Sequence, residues 1–431
     1  MTHPGDADPG TAGVPAAAGS APAAPAAPAA RTGTLTATLA LGMAVALLPS
    51  YTLGVLGPFL TADLEISRTA LGALTTVLFT VGAGLSPVAG PLVDRLGGRF
   101  LLAVMFAVGA VSTAAAAAAP NYPALLAAVA VAGVGVALGN PATNQLVAVH
   151  VAPLRQGLAV GVKQSGVQAG AFLAGAALPA VATTLGWRAA LLTGTVLALA
   201  GLLATALLVP PASPQAAPPA APLAPPSAGS SGRAPLPASV GWLGVYALLM
   251  GIGVGAVGAY LPLYVVERLQ LGTGVGGLAA GLIGLVGIVA RVLWGRRADA
   301  SATPVPVSLA WLAAGAVLAV ALLWGSAVLG VWALWAGAAA FGATAVAWNA
   351  VGMLAVVRDV APGVSGRASG RVLFGFYAGF VASPVGFGWT VDRTRTYTLG
   401  WALVTAAFAA AALLAVRWGA GLRGPHPVAS D

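Results

Sequence analysis

Twelve long apolar runs follow one another along the chain, separated by short breaks of Gly, Pro or charged residues. They fall near 35–57, 71–93, 100–119, 124–148, 157–182, 189–209, 240–264, 274–295, 305–325, 328–352, 370–390 and 398–418. About 20 apolar residues cross a hydrocarbon core as a helix, so each run predicts one transmembrane span. Inside lipid the helix satisfies its own backbone hydrogen bonds, which is why the prediction needs no knowledge of neighbours. Between the sixth and seventh runs lies 210–237, rich in Pro, Ala and Ser, which reads as a flexible linker. The spans therefore divide six and six, with bundles expected over 34–209 and 238–420. Residues 1–33, mostly Ala, Pro, Gly and Thr, read as a disordered tail, and 421–431 as a second tail.

Composition strengthens this reading. Hydrophobic residues make up 59% of the chain and charged residues only 7%, against roughly 25% charged in a soluble protein. The net charge of +9 does not point to nucleic acid, because no basic cluster is longer than Arg296-Arg297. The 18 Arg and the single Lys instead follow topology. With both termini cytoplasmic, 14 of them fall on the inner side and 5 on the outer. That is the asymmetry expected of a multi-pass inner-membrane protein. No cysteine is present, so thiol chemistry and Cys-ligated metal are excluded.

The two halves are related to each other. GLAVGVKQSGVQAG at 157–170 aligns with GRASGRVLFGFYAG at 366–379, so Gly157, Gly161, Gly166 and Gly170 fall on Gly366, Gly370, Gly375 and Gly379. The same offset of 209 maps Gly133 onto Gly342 and Asn140 onto Asn349, while an offset of 205 maps Gly90 and Asp94 onto Gly295 and Asp299. LGWR at 185–188 has a weaker echo in LGWA at 399–402. Parallel repeats of this kind mark transporters whose site lies between two bundles near the midplane. The glycines permit close helix approach, either as plain packing or as surfaces that slide.

Residues 90–102 read GPLVDRLGGRFLL in the loop after the second span, and GRRAD at 295–299 is a degenerate copy. The chain resembles the major facilitator superfamily, whose loop motif is matched by Gly90, Asp94, Arg95, Gly98 and Arg99, with Gly295 and Asp299 in the second half. The resemblance spans 35–420. It implies an all-α membrane fold of two pseudo-symmetric six-helix bundles, a central cavity, and a cytoplasmic gate at this motif. The alternative for the motif is a topogenic loop that only sets orientation.

Polar residues inside apolar spans are costly and tend to face a cavity. Asn140, Thr143 and Asn144 lie at i, i+3 and i+4 of the fourth span and should share a face. Trp348 and Asn349 lie in the tenth, Lys163, Gln164 and Gln168 in the fifth, and Tyr51 follows Pro49 in the first. Lys163 either contacts substrate or snorkels to the interface, and Arg371, one position from its repeat equivalent, has the same two options. Arg291, in ARVLWG of the eighth span, resembles the arginine of monocarboxylate and oxalate transporters that contacts a carboxylate. However, Gly287 stands where the monocarboxylate pattern carries Asp.

Each of the ten acidic residues falls in a tail, a loop or a helix end. The expected cavity is therefore neutral to cationic and suits a small organic anion or neutral polar metabolite carried by alternating access. A proton or a counter-anion is a possible coupling partner. A multidrug or metabolite exporter of the same fold and a non-transporting membrane sensor are the alternatives. No cofactor or metal is implied. No nucleophile–base pair within the spans indicates an enzyme, and a monomer is expected.

Overall fold

The computed structural model describes residues 29–210, 236–300, 303–359 and 365–421. Nearly all of the linker expected at 210–237 and most of both tails lie outside the described residues. Fourteen helices occur among them, and no strand. Seven form the first half: α1 (Ala29–Val55), α2 (Gly57–Asp63), α3 (Arg68–Leu96), α4 (Gly98–Ala118), α5 (Tyr122–His150), α6 (Pro153–Leu185) and α7 (Trp187–Leu208). Seven form the second: α8 (Ala238–Glu267), α9 (Thr273–Ala300), α10 (Val305–Leu329), α11 (Val331–Ala343), α12 (Trp348–Asp359), α13 (Ser365–Thr394) and α14 (Thr398–Gly421). Twelve segments are long and apolar enough to cross a membrane, with α11 and α12 together supplying one and the short α2 supplying none.

Local chemistry sets the helix ends. Proline stands in the first turn of α2, α5, α6 and α10, where its missing N–H costs nothing. Ser67 and Asn121 cap α3 and α5 by accepting from the amides of Ala70 and Ala124. Gly97, Gly186 and Gly330 each close one helix and open the next with φ near +86°, a conformation that favours glycine. Three pairs of antiparallel spans thus turn on one residue each.

The packing repeats between halves. α1 lies against α6 as α8 lies against α13, α4 against α7 as α10 against α14, and α3 against α5 as α9 against α11. The repeated glycines sit at equivalent crossings. A Cβ on Gly133 would meet Leu78 and Val81 of α3, and one on Gly342 would meet Ile283 and Val286 of α9. Gly166 abuts Ala40 of α1, and Gly375 abuts Gly244 of α8. The two bundles meet along α3 with α13 and α6 with α9, pairings that exchange under the same pseudo-twofold.

Two expectations need correction. The tenth span is not one helix over 328–352. It starts at Val331 and is broken at 344–347 between α11 and α12. No proline is involved. Thr344 Oγ1 donates to the Ala340 carbonyl, a back-bond that bends helices. The bulky Trp348 ring packs against Gly352 one turn on and is buried. The other correction concerns the tail expected over 1–33, because α1 begins within it at Ala29.

Candidate functional site

Among the described residues, polar contacts between the bundles gather at one end. Both chain-terminal helix ends lie at what is called here the terminal end, and the loops after α2, α4, α8 and α13 at the far end. At the far end Arg68 forms an ion pair with Glu267, and Tyr397 donates to the same carboxylate. The Asp392 carboxylate accepts from the backbone amides of Arg68 and Thr69 and from the Thr69 hydroxyl. It thus caps the start of α3 from the opposite bundle, where the helix dipole favours negative charge. Burial first, and then the Glu267 carboxylate, push the Tyr397 phenol up, so it remains a donor. Deeper in, Thr76 donates to the Val381 carbonyl. Close backbone approaches continue this seal, with Gly54 against Gly258, Gly72 against Pro384, and Gly175 against Gly277 and Gly281.

At the terminal end no such contact occurs among the described residues. A Cβ on Gly84, Gly90, Gly157, Gly161, Gly295 or Gly370 would meet nothing within 4 Å. Residues 84–88 of α3 are exposed. In the loop motif Asp94 and Arg95 are exposed and make no ion pair among the described residues. Gly98 packs on Gln145 and Ala142 of α5, and Arg99 donates to the Ala206 carbonyl of α7. The motif therefore holds its own bundle together through Gly98 and Arg99. The side chain of Asp299 lies outside the described residues.

Between the far-end seal and the open terminal end lies a central cavity of about 1390 Å³, its mouth included. The helical stripe Gln164, Val167, Gln168 and Ala171 of α6 lines one wall. Its counterparts at an offset of 209, Leu373, Phe376, Tyr377 and Phe380 of α13, line the opposite wall. The first stripe carries amides and the second carries rings. Phe79 extends the aromatic wall, 4.5 Å between ring centroids from Phe380, and Trp348 extends it 5.4 Å from Phe376. Asn140 and Asn349, the matched asparagines, both line the cavity, as does Tyr51.

Among the described residues Arg291 is the one charged side chain of the lining. Its Nε donates to the Val346 carbonyl, and Trp294, one turn away, donates to that of Ala343. The Val346 carbonyl lies in the broken stretch, and that of Ala343 closes α11 just before it. The break thus releases backbone acceptors, and Arg291 is fixed by one of them.

Three other expected residues stand elsewhere. Lys163 is fully buried behind the wall, donating to Thr143 Oγ1 at 2.8 Å and Asn140 Oδ1 at 3.4 Å. It neither snorkels nor lines the cavity. α6 begins at Pro153 rather than 157, ten residues before it, or roughly 15 Å of rise, too deep to reach an interface. Asn144 does not share the inward face of Asn140: it is exposed and outside the lining. Arg371 is also exposed and outside the lining, near the open end of α13. The aromatic wall had one signal in the sequence, since the two repeat copies differ in character at these four positions.

A family profile described as Major Facilitator Superfamily matches residues 39–370. The chain belongs to the major facilitator superfamily. Solved structures of similar fold include a point-mutated nucleoside transporter NupG, at 14% identity and TM-score 0.70 over 89% of this chain and 99% of that one. A D-xylose–proton symporter aligns at 19% identity and TM-score 0.68 over 89% and 96%. A bacterial homologue of the lysosomal transporter Spinster, inward-facing and unoccupied, aligns at 13% and 0.67 over 91% and 96%. At these identities the likeness concerns the fold alone. No curated protein matches the sequence. The superfamily assignment and the twelve apolar spans indicate a multi-pass membrane transporter.

Proposed function

We propose that this superfamily member carries a small organic anion with an apolar or aromatic body, by alternating access. One observation carries the reading. Among the described residues the lining holds a guanidinium, that of Arg291, and no carboxylate. A half-buried cation without a protein counter-charge is costly. An anionic substrate would offset that cost and make charge-assisted hydrogen bonds. The amides of Asn140, Gln164 and Gln168 add neutral polar contacts beside it, while Phe376, Tyr377 and Phe380 offer rings to the rest of the solute.

The terminal end is assigned to the cytoplasm, because Arg and Lys concentrate there. The conformation is then inward-open in an inner membrane, with 34–209 and 238–420 as the two rocking units. The protein works as a monomer, and a proton or counter-anion drives the cycle.

The test is uptake of labelled aromatic and aliphatic carboxylates, their amides, sugars and cationic dyes into proteoliposomes. Saturable uptake of a carboxylate, lost in Arg291→Ala, is expected. Uptake of dyes or sugars with carboxylates ignored would overturn the proposal.

A further inference from the structure

Lys163 is the only lysine of the chain, and the cavity does not use it directly. Its ammonium is buried between α5 and α6, and neither ion pair among the described residues includes it. A buried ammonium has three protons to place. Thr143 Oγ1, whose own proton goes to the Gly139 carbonyl, accepts one. Asn140 Oδ1 accepts another. That same oxygen also accepts from Gln164 Nε2 at 3.1 Å.

Two donors thus converge on one oxygen of Asn140, a residue that lines the cavity. An asparagine amide has one acceptor end and one donor end. With its oxygen held from behind, its NH₂ is the end left for the solute. We infer that Lys163 is a positioning residue: by holding the Asn140 oxygen it turns the Asn140 amide into a hydrogen-bond donor for the solute, which selects acceptor-only groups such as carboxylates. The specificity half of this inference rests on the anion reading above, whereas the orientation half does not.

Among the described residues Gln164 and Lys163 are the two donors on this oxygen, and only Lys163 brings a charge. At this level α1 presents Ala40, Met43 and Ala44, while α5 presents Asn140 and Thr143. The charged groups of the elements packed on α6 lie further off. Among the side chains described they are Arg291 across the cavity on α9, His150 at the end of α5, Arg155 near the start of α6, Arg188 at the far end of α7, and Arg296 and Arg297 at the terminal end of α9, while Arg31 of α1 and Asp299 of α9 belong to the terminal ends of their helices. The repeat counterpart of Lys163 is Val372, buried and apolar. Asn349, the counterpart of Asn140, therefore has no such partner behind it, so the two asparagines are inequivalent.

The test uses the full chain in lipid nanodiscs and in proteoliposomes, with two conservative replacements. Lys163→Met keeps the stem and removes the donor, whereas Lys163→Gln restores a neutral donor. The chain has four asparagines, Asn121, Asn140, Asn144 and Asn349. Side-chain ¹⁵N-asparagine labelling therefore gives four NH₂ pairs, and Asn140→Leu identifies that of Asn140. The Asn140 pair should move in Lys163→Met and stay near its original position in Lys163→Gln. A pair that is indifferent to Lys163→Met would overturn the inference.

Benzoate is the transport probe. Its KM should rise about tenfold in Lys163→Met with kcat little changed, the loss expected for one charge-assisted hydrogen bond. Lys163→Gln should restore it. A merely structural lysine would lower the amount of active carrier and leave KM alone. Equal KM in all three proteins, or equal impairment of both variants, would also overturn the inference. No benzoate uptake by the unaltered protein, with the resonance result as expected, would sink the anion reading while the orientation of Asn140 stood.

Discussion

Arg68 Nη2 lies 2.9 Å from Glu267 Oε1, across 199 residues of sequence and across the boundary between the two bundles. Around this pair the Tyr397 hydroxyl and the Asp392 carboxylate complete a polar latch, and the latch closes the far end of the cavity. The opposite end has no equivalent contact among the described residues. An alternating-access carrier must be able to break such a latch, so its strength should set how the two states are populated.

Replacing Asp392 with Asn removes the charge that caps α3 and weakens two backbone amide bonds. Charged caps at helix N-termini contribute up to about 1–2 kcal/mol, so the balance between states should shift roughly five- to thirtyfold toward opening at the far end. The chain has no native cysteine. A Ser50→Cys probe in the cavity lining can therefore be labelled cleanly with an impermeant maleimide from the far face. Faster labelling in Asp392→Asn is expected; an unchanged rate would mean that the latch does not govern opening.

Glycine position separates state from stability. Gly166 abuts the Ala40 backbone within one bundle, while Gly54 abuts the Gly258 backbone across the two. Gly166→Ala should destabilise the protein in every state by about 1–3 kcal/mol, the usual cost of overpacking, and lower its melting temperature. Gly54→Ala should mainly disfavour closure of the far end and speed labelling of the cavity probe. If both variants merely melt earlier, the distinction fails.

Gly90 faces open space in this conformation. Gly90→Ala should therefore leave the melting temperature near its original value, yet slow turnover if the terminal end closes onto this surface. Thermal melting and a transport rate measured on one preparation decide it. Full activity would remove Gly90 from the gate.

Arg291→Ala should abolish anion uptake, and the effect should exceed about thirtyfold in KM, because removing a buried charge partner costs about 2–5 kcal/mol. It should also loosen the break in the tenth span, whose Val346 carbonyl loses its donor. Arg291→Lys keeps the charge but loses the planar fork, and should retain only weak uptake. Flux measurements on the two variants side by side separate charge from geometry.

One pH effect follows from the far-end loop. The Trp187 indole and the Arg188 guanidinium both donate to Asp63 and hold its carboxyl below the usual range. A carboxylate with a lowered folded pKa stabilises above its unfolded value and loses that contribution as the pH falls through the folded one. The melting difference between the unaltered protein and Asp63→Asn should thus be present at pH 7 and shrink below about pH 4. Because this site is exposed, the difference should be small.

What could be read from the chain was local or periodic. Length and apolarity decide that a run spans lipid, since the membrane forces each helix to satisfy its own backbone. The 209-residue offset decides which glycines sit at equivalent crossings, because duplicated bundles reuse the same close contacts. Gln164, Gln168, Asn140, Asn349, Tyr51 and Arg291 were visible as polar residues in apolar spans, and all line the cavity. The same signal misled for Lys163, Asn144 and Arg371, because cost of burial says that a polar group needs a partner without saying whether the partner is a cavity, a neighbouring hydroxyl or solvent. The break at 344–347 and the aromatic wall also depended on facing helices. Which end is closed was decided by the tertiary structure alone. Arg68 finds Glu267 and Asp392 only after the bundles dock, and the energy of that contact belongs to neither segment by itself.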